Sequence, residues 1–475
     1  MTRDRESVSG PRLSASSALE SAGARAYRAA LVAPVGSAPI RGGVVVVNRG
    51  VIAYVGPERE APTMPTVDLG DVVITPGFVN THTHLDLTAY RGGVLDGLDF
   101  FGWIRMVTRS KATLSAEELL DAARAGIMAG LARGITTYAD TSNTDAALDA
   151  MAELGVRGIA YREVFGPDPS VADAAMAELA THVGAMRARA THLVCVGVSP
   201  HAPYSVSDAL FERVAAFARE ERLPMAIHIA ESEAETALVA DGRGPFADFL
   251  VQRGIPVVPR APTPIALLAA RRALGEHTLL IHCVRVNADD VVTMARHGCG
   301  VAHCPQSNDW FGHGAAPLGA MLVGGVRVGM GTDSMGSNDG MDVLAEAGSS
   351  LARSREAAAG PVRAALDASD ALTLATWGGA CALRMEDTIG QLAAGFAADL
   401  AWFPLPPSLT SGPTPSTADV SNALLTAGRE AMGVIVAGTV RLAGGTPSSE
   451  RLALEARVTA MTQRLHRWRV DNAAG

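Results

Sequence analysis

Pro76-Gly77-Phe78-Val79-Asn80-Thr81-His82-Thr83-His84-Leu85-Asp86 closes an apolar run that begins at Val72-Val73-Ile74. In an extended strand, residues i and i+2 point to the same side. His82 and His84 therefore aim both imidazoles at one point in space, as a shared metal ion requires. Taken alone, the pair reads equally as two exposed histidines on a strand end. Metal ligands at the ends of later strands decide between the two.

Downstream, short apolar runs alternate with longer Ala/Leu/Arg segments of helical period. Ser115 to Leu131 reads as a helix, with Ser115 as N-cap and Glu118 completing a capping box. Strands are expected at 78–82, 134–140, 157–163, 193–199, 224–229, 278–283, 300–303 and 326–331, each followed by a helical stretch. Eight βα units over about 300 residues predict a parallel (β/α)₈ TIM barrel, an α/β fold. The flanks differ in texture. Tyr27–Ala33, Gly43–Asn48 and Val51–Val55 are short β-like runs, as are the stretches 395–402 and 433–442. Neither flank makes a sheet alone, so the two are expected to combine into one small composite β-sandwich. The expected division is a mobile tail over 1–24, the composite sandwich over 25–76 and 385–448, the barrel over 77–384, and a C-terminal amphipathic helix over 449–475.

Composition bounds the function classes. A hydrophobic content of 48% and a charged content of 19% describe a packed globule. The formal charge of −9 disfavours nucleic acid as a partner. No apolar run reaches the roughly 18–20 residues of a membrane span, and the opening residues do not read as a signal peptide. Five scattered cysteines fit reduced thiols in a cytoplasmic enzyme better than a disulfide framework. Homo-oligomers are the common case, so a homodimer is the assembly to test. Lys111 is the single lysine of the chain, so a Schiff-base lysine or a lysine metal bridge has almost nowhere to come from.

Barrel enzymes carry their chemistry at the C-terminal ends of the strands. Six of the 12 histidines (His82, His84, His201, His228, His282 and His303) fall at such ends. His82, His84, His228 and Asp333 make an N/O donor set suited to Zn²⁺ or Fe²⁺, with room for a water. A bound metal lowers that water's pKa toward about 7. Glu231, three residues past His228, can carry the proton to a leaving group, and His282 can orient the water or polarise the substrate. His303 reads as a brace for the following loop, and His313, in a Gly-rich loop, as a solvated rim residue.

The motifs Pro76-Gly77-Phe78…His82-Thr83-His84, Pro200-His201-Ala202-Pro203-Tyr204, His228-Ile229-Ala230-Glu231, His282-Cys283-Val284, His303-Cys304-Pro305-Gln306-Ser307-Asn308 and Gly331-Thr332-Asp333-Ser334 resemble the amidohydrolase superfamily. The resemblance runs from about Arg41 to Trp402, within the branch of triazine hydrolases and guanine, S-adenosylhomocysteine/methylthioadenosine and aminodeoxyfutalosine deaminases. It implies that His82, His84, His228 and Asp333 are the metal ligands and that Glu231, His282 and Asp333 are catalytic. It further implies substrate contacts from His201 and Trp103. Binuclear members carry a carboxylated lysine at the end of strand four; here that strand ends Val198-Ser199-Pro200-His201, which implies one divalent metal ion, Zn²⁺ ahead of Fe²⁺.

The implied reaction is hydrolytic loss of an amine from an electron-poor ring carbon of a small-molecule substrate, an adenine-nucleoside type first. Other amidohydrolase substrates stand as alternatives: S-adenosylhomocysteine or methylthioadenosine, guanine, cytosine, a chlorotriazine or an imidazolone. The acid that S-adenosylhomocysteine deaminases place about nine residues after the tryptophan has no counterpart, since the chain reads Lys111-Ala112-Thr113 there. By contrast, Tyr161-Arg162-Glu163-Val164-Phe165-Gly166-Pro167 looks like the aminodeoxyfutalosine deaminases of menaquinone synthesis. That likeness makes Arg162 and Glu163 expected substrate contacts, with Arg162 or Arg105 meeting the substrate's carboxylate.

Overall fold

The computed structural model describes residues 23–338, 340–356, 366–426, 430–444 and 448–472. The tail expected to be mobile, 1–24, lies outside these residues except for Gly23 and Ala24.

Two sheets organise the chain. The first is assembled from both flanks: β1 (Arg25–Val32), β2 (Ile40–Asn48), β3 (Val51–Pro57), β4 (Thr66–Asp68) and β5 (Val72–Pro76) from the N-terminal side. The second is the barrel, with β6 (Phe78–Thr83), β7 (Ile135–Ser142), β8 (Arg157–Val164), β9 (Val194–Pro200), β10 (Met225–Ile229), β11 (Thr278–His282), β12 (Gly300–His303) and β13 (Arg327–Met330). From the C-terminal side β14 (Leu400–Pro404), β15 (Gly433–Val436) and β16 (Thr439–Ala443) return to the first sheet.

All neighbouring barrel strands pair in parallel, in sequence order, from β6 to β13. Closure comes just beyond β13. The N–H groups of Thr332 and Asp333 donate to the carbonyl of His82 at 3.0 and 3.1 Å. Gly331 permits that approach, because a Cβ there would sit 2.9 Å from the Cβ of His82. The first and last strands thus meet at the residues expected to hold a metal.

The flank strands were expected to form a sandwich. They are hydrogen-bonded into one branched sheet that draws on both flanks, ordered β16-β15-β14-β5-β1-β2-β3. The branch arises because β1 is long enough for two neighbours on one edge: Ala26–Arg28 pair with β4, and Leu31 and Val32 pair with β5. The two flanks join where Val72–Pro76 run antiparallel to Leu400–Pro404. Tyr27, Val45, Ile52, Ile74, Leu400 and Trp402 bury one face of this sheet.

Helices fill the layer outside the barrel strands. Helix Ala116–Leu131 opens with the expected capping box, Ser115 accepting from the Glu118 N–H while the Glu118 carboxylate accepts from the Ser115 N–H. The C-terminal helix, Ser449–Asn472, buries Leu454, Val458, Met461 and Leu465, one stripe of helical period. It is pinned to the barrel's first crossover by Arg457, which donates to Asp121 at 2.6 Å, and by the Thr462 hydroxyl on the Ala89 carbonyl. No helix among the described residues is long and apolar enough to cross a membrane.

Candidate metal and active centre

The C-terminal mouth of the barrel gathers His82, His84, His228, His282, Glu231 and Asp333. One ring nitrogen each of His82, His84 and His228 lies within 4.8 Å of the others, and His82, His282 and Asp333 form an overlapping group of the same size. Asp333 Oδ1 sits 3.3 Å from His82 Nε2 and 3.6 Å from His84 Nε2. The His84 and His228 rings are stacked 5.4 Å apart, while His82 meets both edge-on.

Neighbouring groups aim these rings. His84 Nδ1 is 2.7 Å from the Thr141 carbonyl and His228 Nδ1 is 3.3 Å from the His201 carbonyl, so both present Nε2 to the centre. The other oxygen of Asp333, Oδ2, accepts from the hydroxyls of Ser307 (2.6 Å) and Ser337 (3.3 Å), which leaves Oδ1 facing the imidazoles. Asp140 carries the chain past His84 by accepting from the Leu85 N–H at 2.6 Å.

Electrostatics agree with the geometry. Burial pushes the imidazoles of His82, His84 and His228 below their ordinary values. Burial opposes ionisation of Asp333 as well, but His82 beside it, with His282 and His84, holds its carboxyl well below the usual range. Neutral imidazoles with an ionised carboxylate are the protonation states that metal binding needs. His82 Nε2 is buried and lacks a hydrogen-bond partner among the described residues, an orphan that a metal would satisfy. Three nitrogens and one oxygen fit a divalent ion with an open position.

Glu231 has the opposite character to Asp333. It is 3% exposed, and burial together with Asp333 and Glu235 pushes its carboxyl well above the usual range. His282 Nε2 lies 3.5 Å from Glu231 Oε1, with its Nδ1 held by Asn308 Oδ1 at 3.0 Å. Several of these strand-end residues carry positive φ without being glycine: Ala230 (52°), His282 (73°), Cys283 (51°) and Asp333 (56°). Such conformations cost free energy and concentrate where a fold positions functional groups.

The expected substrate residues divide. His201 and Glu163 form the wall beside His228, with His201 Nε2 4.0 Å from Glu163 Oε1 and Phe165 against the imidazole. Trp103 roofs the opposite side, its indole N–H donating to the Gly336 carbonyl at 3.1 Å and its ring meeting Phe311 edge-on. Arg162 does not join them. Successive strand residues point to opposite faces, so Glu163 faces the barrel interior and Arg162 the helical layer. There it pairs with Asp145, 3.3 Å away, which also binds Arg189. Arg105, the other arginine considered, is exposed and stacks on Phe101.

Three residues have more part in the site than their sequence setting indicated. Lys111 reaches back to the buried Asp86 (2.8 Å) and to Asn143 (2.9 Å). Glu235 accepts from the N–H groups of Ala230 and Glu231; its signal was Ser232-x-x-Glu235, which reads as a capping box. His313 is buried against Glu231, with Nε2 3.6 Å from Oε1. Nothing in a Gly-rich loop announced that burial.

Fold and donor set together define the class: a barrel hydrolase whose centre is built for a divalent metal. The chain belongs to the Amidohydrolase family, whose profile matches residues 73–441. It is 32% identical over 379 residues to the 5-methylthioadenosine/S-adenosylhomocysteine deaminase of Desulforudis audaxviator, covering 78% of this chain and 83% of that one. It is 33% identical over 323 residues to the aminodeoxyfutalosine deaminase of Deinococcus radiodurans, covering 66% and 76%. An adenosine deaminase from Xanthomonas campestris, solved with bound zinc, superposes with a TM-score of 0.80 at 27% identity over 93% of this chain and 98% of that one.

Proposed function

We propose that this protein is a metal-dependent deaminase that hydrolyses the exocyclic amine of an adenine nucleoside. The observation that carries the reading is Glu231, a buried carboxyl whose hold on a proton is raised by burial, 3.5 Å from His282 and beside a set of three imidazoles and Asp333. A proton donor and a proton acceptor with separated affinities are what addition of water to an amidine carbon demands.

His82, His84, His228 and Asp333 would hold the ion, Zn²⁺ by the example of the Xanthomonas relative. Bound there, it would supply an activated water. Glu231 gives its proton to the ring nitrogen as the water oxygen adds to the neighbouring carbon, and takes in its place the first proton which that oxygen releases. His282, neutral because burial pushes it down to about 4, orients the oxygen. The remaining hydroxyl proton passes through Asp333 to the amine, the C–N bond breaks, and ammonia leaves a ring lactam. His201 and Glu163 line the nucleoside side of the pocket.

An aminodeoxyfutalosine-type substrate is the first choice, on the Arg162-Glu163-Val164-Phe165-Gly166 motif and the Deinococcus relative. The outward turn of Arg162 removes one expected carboxylate contact, which favours methylthioadenosine and S-adenosylhomocysteine as the second reading. Ammonia release from these compounds, from adenosine and from guanine separates the two. Glu231→Gln should lower kcat at least about a thousandfold with the metal content unchanged. Full activity in that variant, or turnover of no adenine compound, would sink the proposal.

A further inference from the structure

We infer that His313 is a specificity residue whose Nε2 hydrogen-bonds a second ring nitrogen of the heterocycle, on the edge adjoining the one that Glu231 protonates. This rests on the deaminase reading above. His313 sits in the loop after β12, between Gly312 and Gly314, whose φ angles of 66° and 97° belong to the left-handed region. Its N–H donates to the Asn308 carbonyl at 2.9 Å, which ties the turn to the residue that also holds His282.

Two imidazoles therefore converge on one carboxyl oxygen. His282 Nε2 is 3.5 Å and His313 Nε2 is 3.6 Å from Glu231 Oε1. Yet His313 Nε2 is buried and has no hydrogen-bond partner among the described residues. A buried polar atom left unpaired costs free energy that an arriving partner recovers. The imidazole is neutral, because burial and the Arg285 guanidinium push its pKa down to about 4. A neutral ring chooses its tautomer, so Nε2 can donate to a ring nitrogen that carries only a lone pair.

Aromatic neighbours fix the ring and shape the space. Phe311 stacks on His313 at 5.4 Å, and Phe100 meets it edge-on at 4.7 Å. Phe100 also meets Phe311 at 5.1 Å, and Trp103 closes on Phe311 from the other side. These contacts join the loop after β6 to the loop after β12 as a roof over the mouth. A flat heterocycle under that roof would find Glu231 and His313 along one edge.

The test uses the metal-loaded full chain, with adenosine as substrate and 3-deazaadenosine and 7-deazaadenosine as competing ligands. His313→Ala should raise the KM for adenosine about tenfold, the weight of one hydrogen bond, with kcat changed less than about threefold and metal content unchanged. One deaza analogue should bind the wild type about tenfold more weakly than adenosine does, and His313→Ala should bind that analogue no worse than the wild type. His313→Gln should recover part of the lost affinity. An equal penalty on adenosine and both analogues, or none, would mean a packing role and overturn the inference alone. Failure of the wild type to release ammonia from adenosine and from 5′-modified adenosines would overturn the deaminase reading, and this inference with it.

Discussion

Glu235 stands fully buried in the first turn of helix Glu233–Asp241, accepting from the Ala230 and Glu231 N–H groups at 2.8 and 2.9 Å. Those two bonds set the backbone that carries Glu231. Burial pushes the Glu235 carboxyl from an ordinary 4.5 up to about 7. Between these values the folded chain keeps a proton that the unfolded chain has released. Stability must therefore fall as pH rises from 4.5 to 7 and level off above, with about 3 kcal/mol at stake from this group. Glu235→Gln should flatten that slope, read as denaturant midpoints at pH 5 and pH 8. An unchanged slope would assign it to other groups. His82 and His84 were legible from sequence because an i, i+2 pair on a strand needs no tertiary knowledge to share a face. His313 was not, because loop residues have no period from which burial can be inferred. Arg162 was misjudged by its place in a motif, although the same alternation that aligned His82 with His84 separates Arg162 from Glu163.

The helix Phe100–Lys111 is the element that brings the roof to the site. Asp99 caps its start by accepting from the Gly102 N–H at 2.7 Å, and Lys111 anchors its end on Asp86. Asp86 is otherwise held by the hydroxyls of Ser142 and Thr144, at 2.5 and 2.7 Å. Lys111→Met would strip a buried carboxylate of its cation and should cost about 3 kcal/mol. Adding Asp86→Asn to that variant should restore much of the loss; if the double variant is no more stable than the single, the pair is not what anchors the helix. Sequence marked Trp103 as a substrate contact, not as part of a helix pinned at Lys111. That anchor joins residues 25 apart, beyond the reach of any local pattern. The branching of β1 was hidden for the same reason, since its choice between β4 and β5 is made by distant segments.

Across the whole molecule, the donor set joins the first, fifth and eighth barrel strands, so an ion held there would staple the seam where the barrel closes. A ligand bound at a hundred times its Kd adds about 2.7 kcal/mol to the folded state. Removing the metal with a chelator should lower the thermal midpoint by several degrees, and adding Zn²⁺ back should restore it. A midpoint indifferent to chelation would argue against binding by this set. The barrel itself was legible at this scale because each βα unit is local and eight of them leave few alternatives. One lysine among 40 basic residues has a practical consequence. An amine-directed reagent finds a single side-chain target here, and its side chain is only 16% exposed. The rate at which Lys111 acquires such a tag, followed by mass spectrometry, becomes a clock for how often the helix over the mouth lifts away.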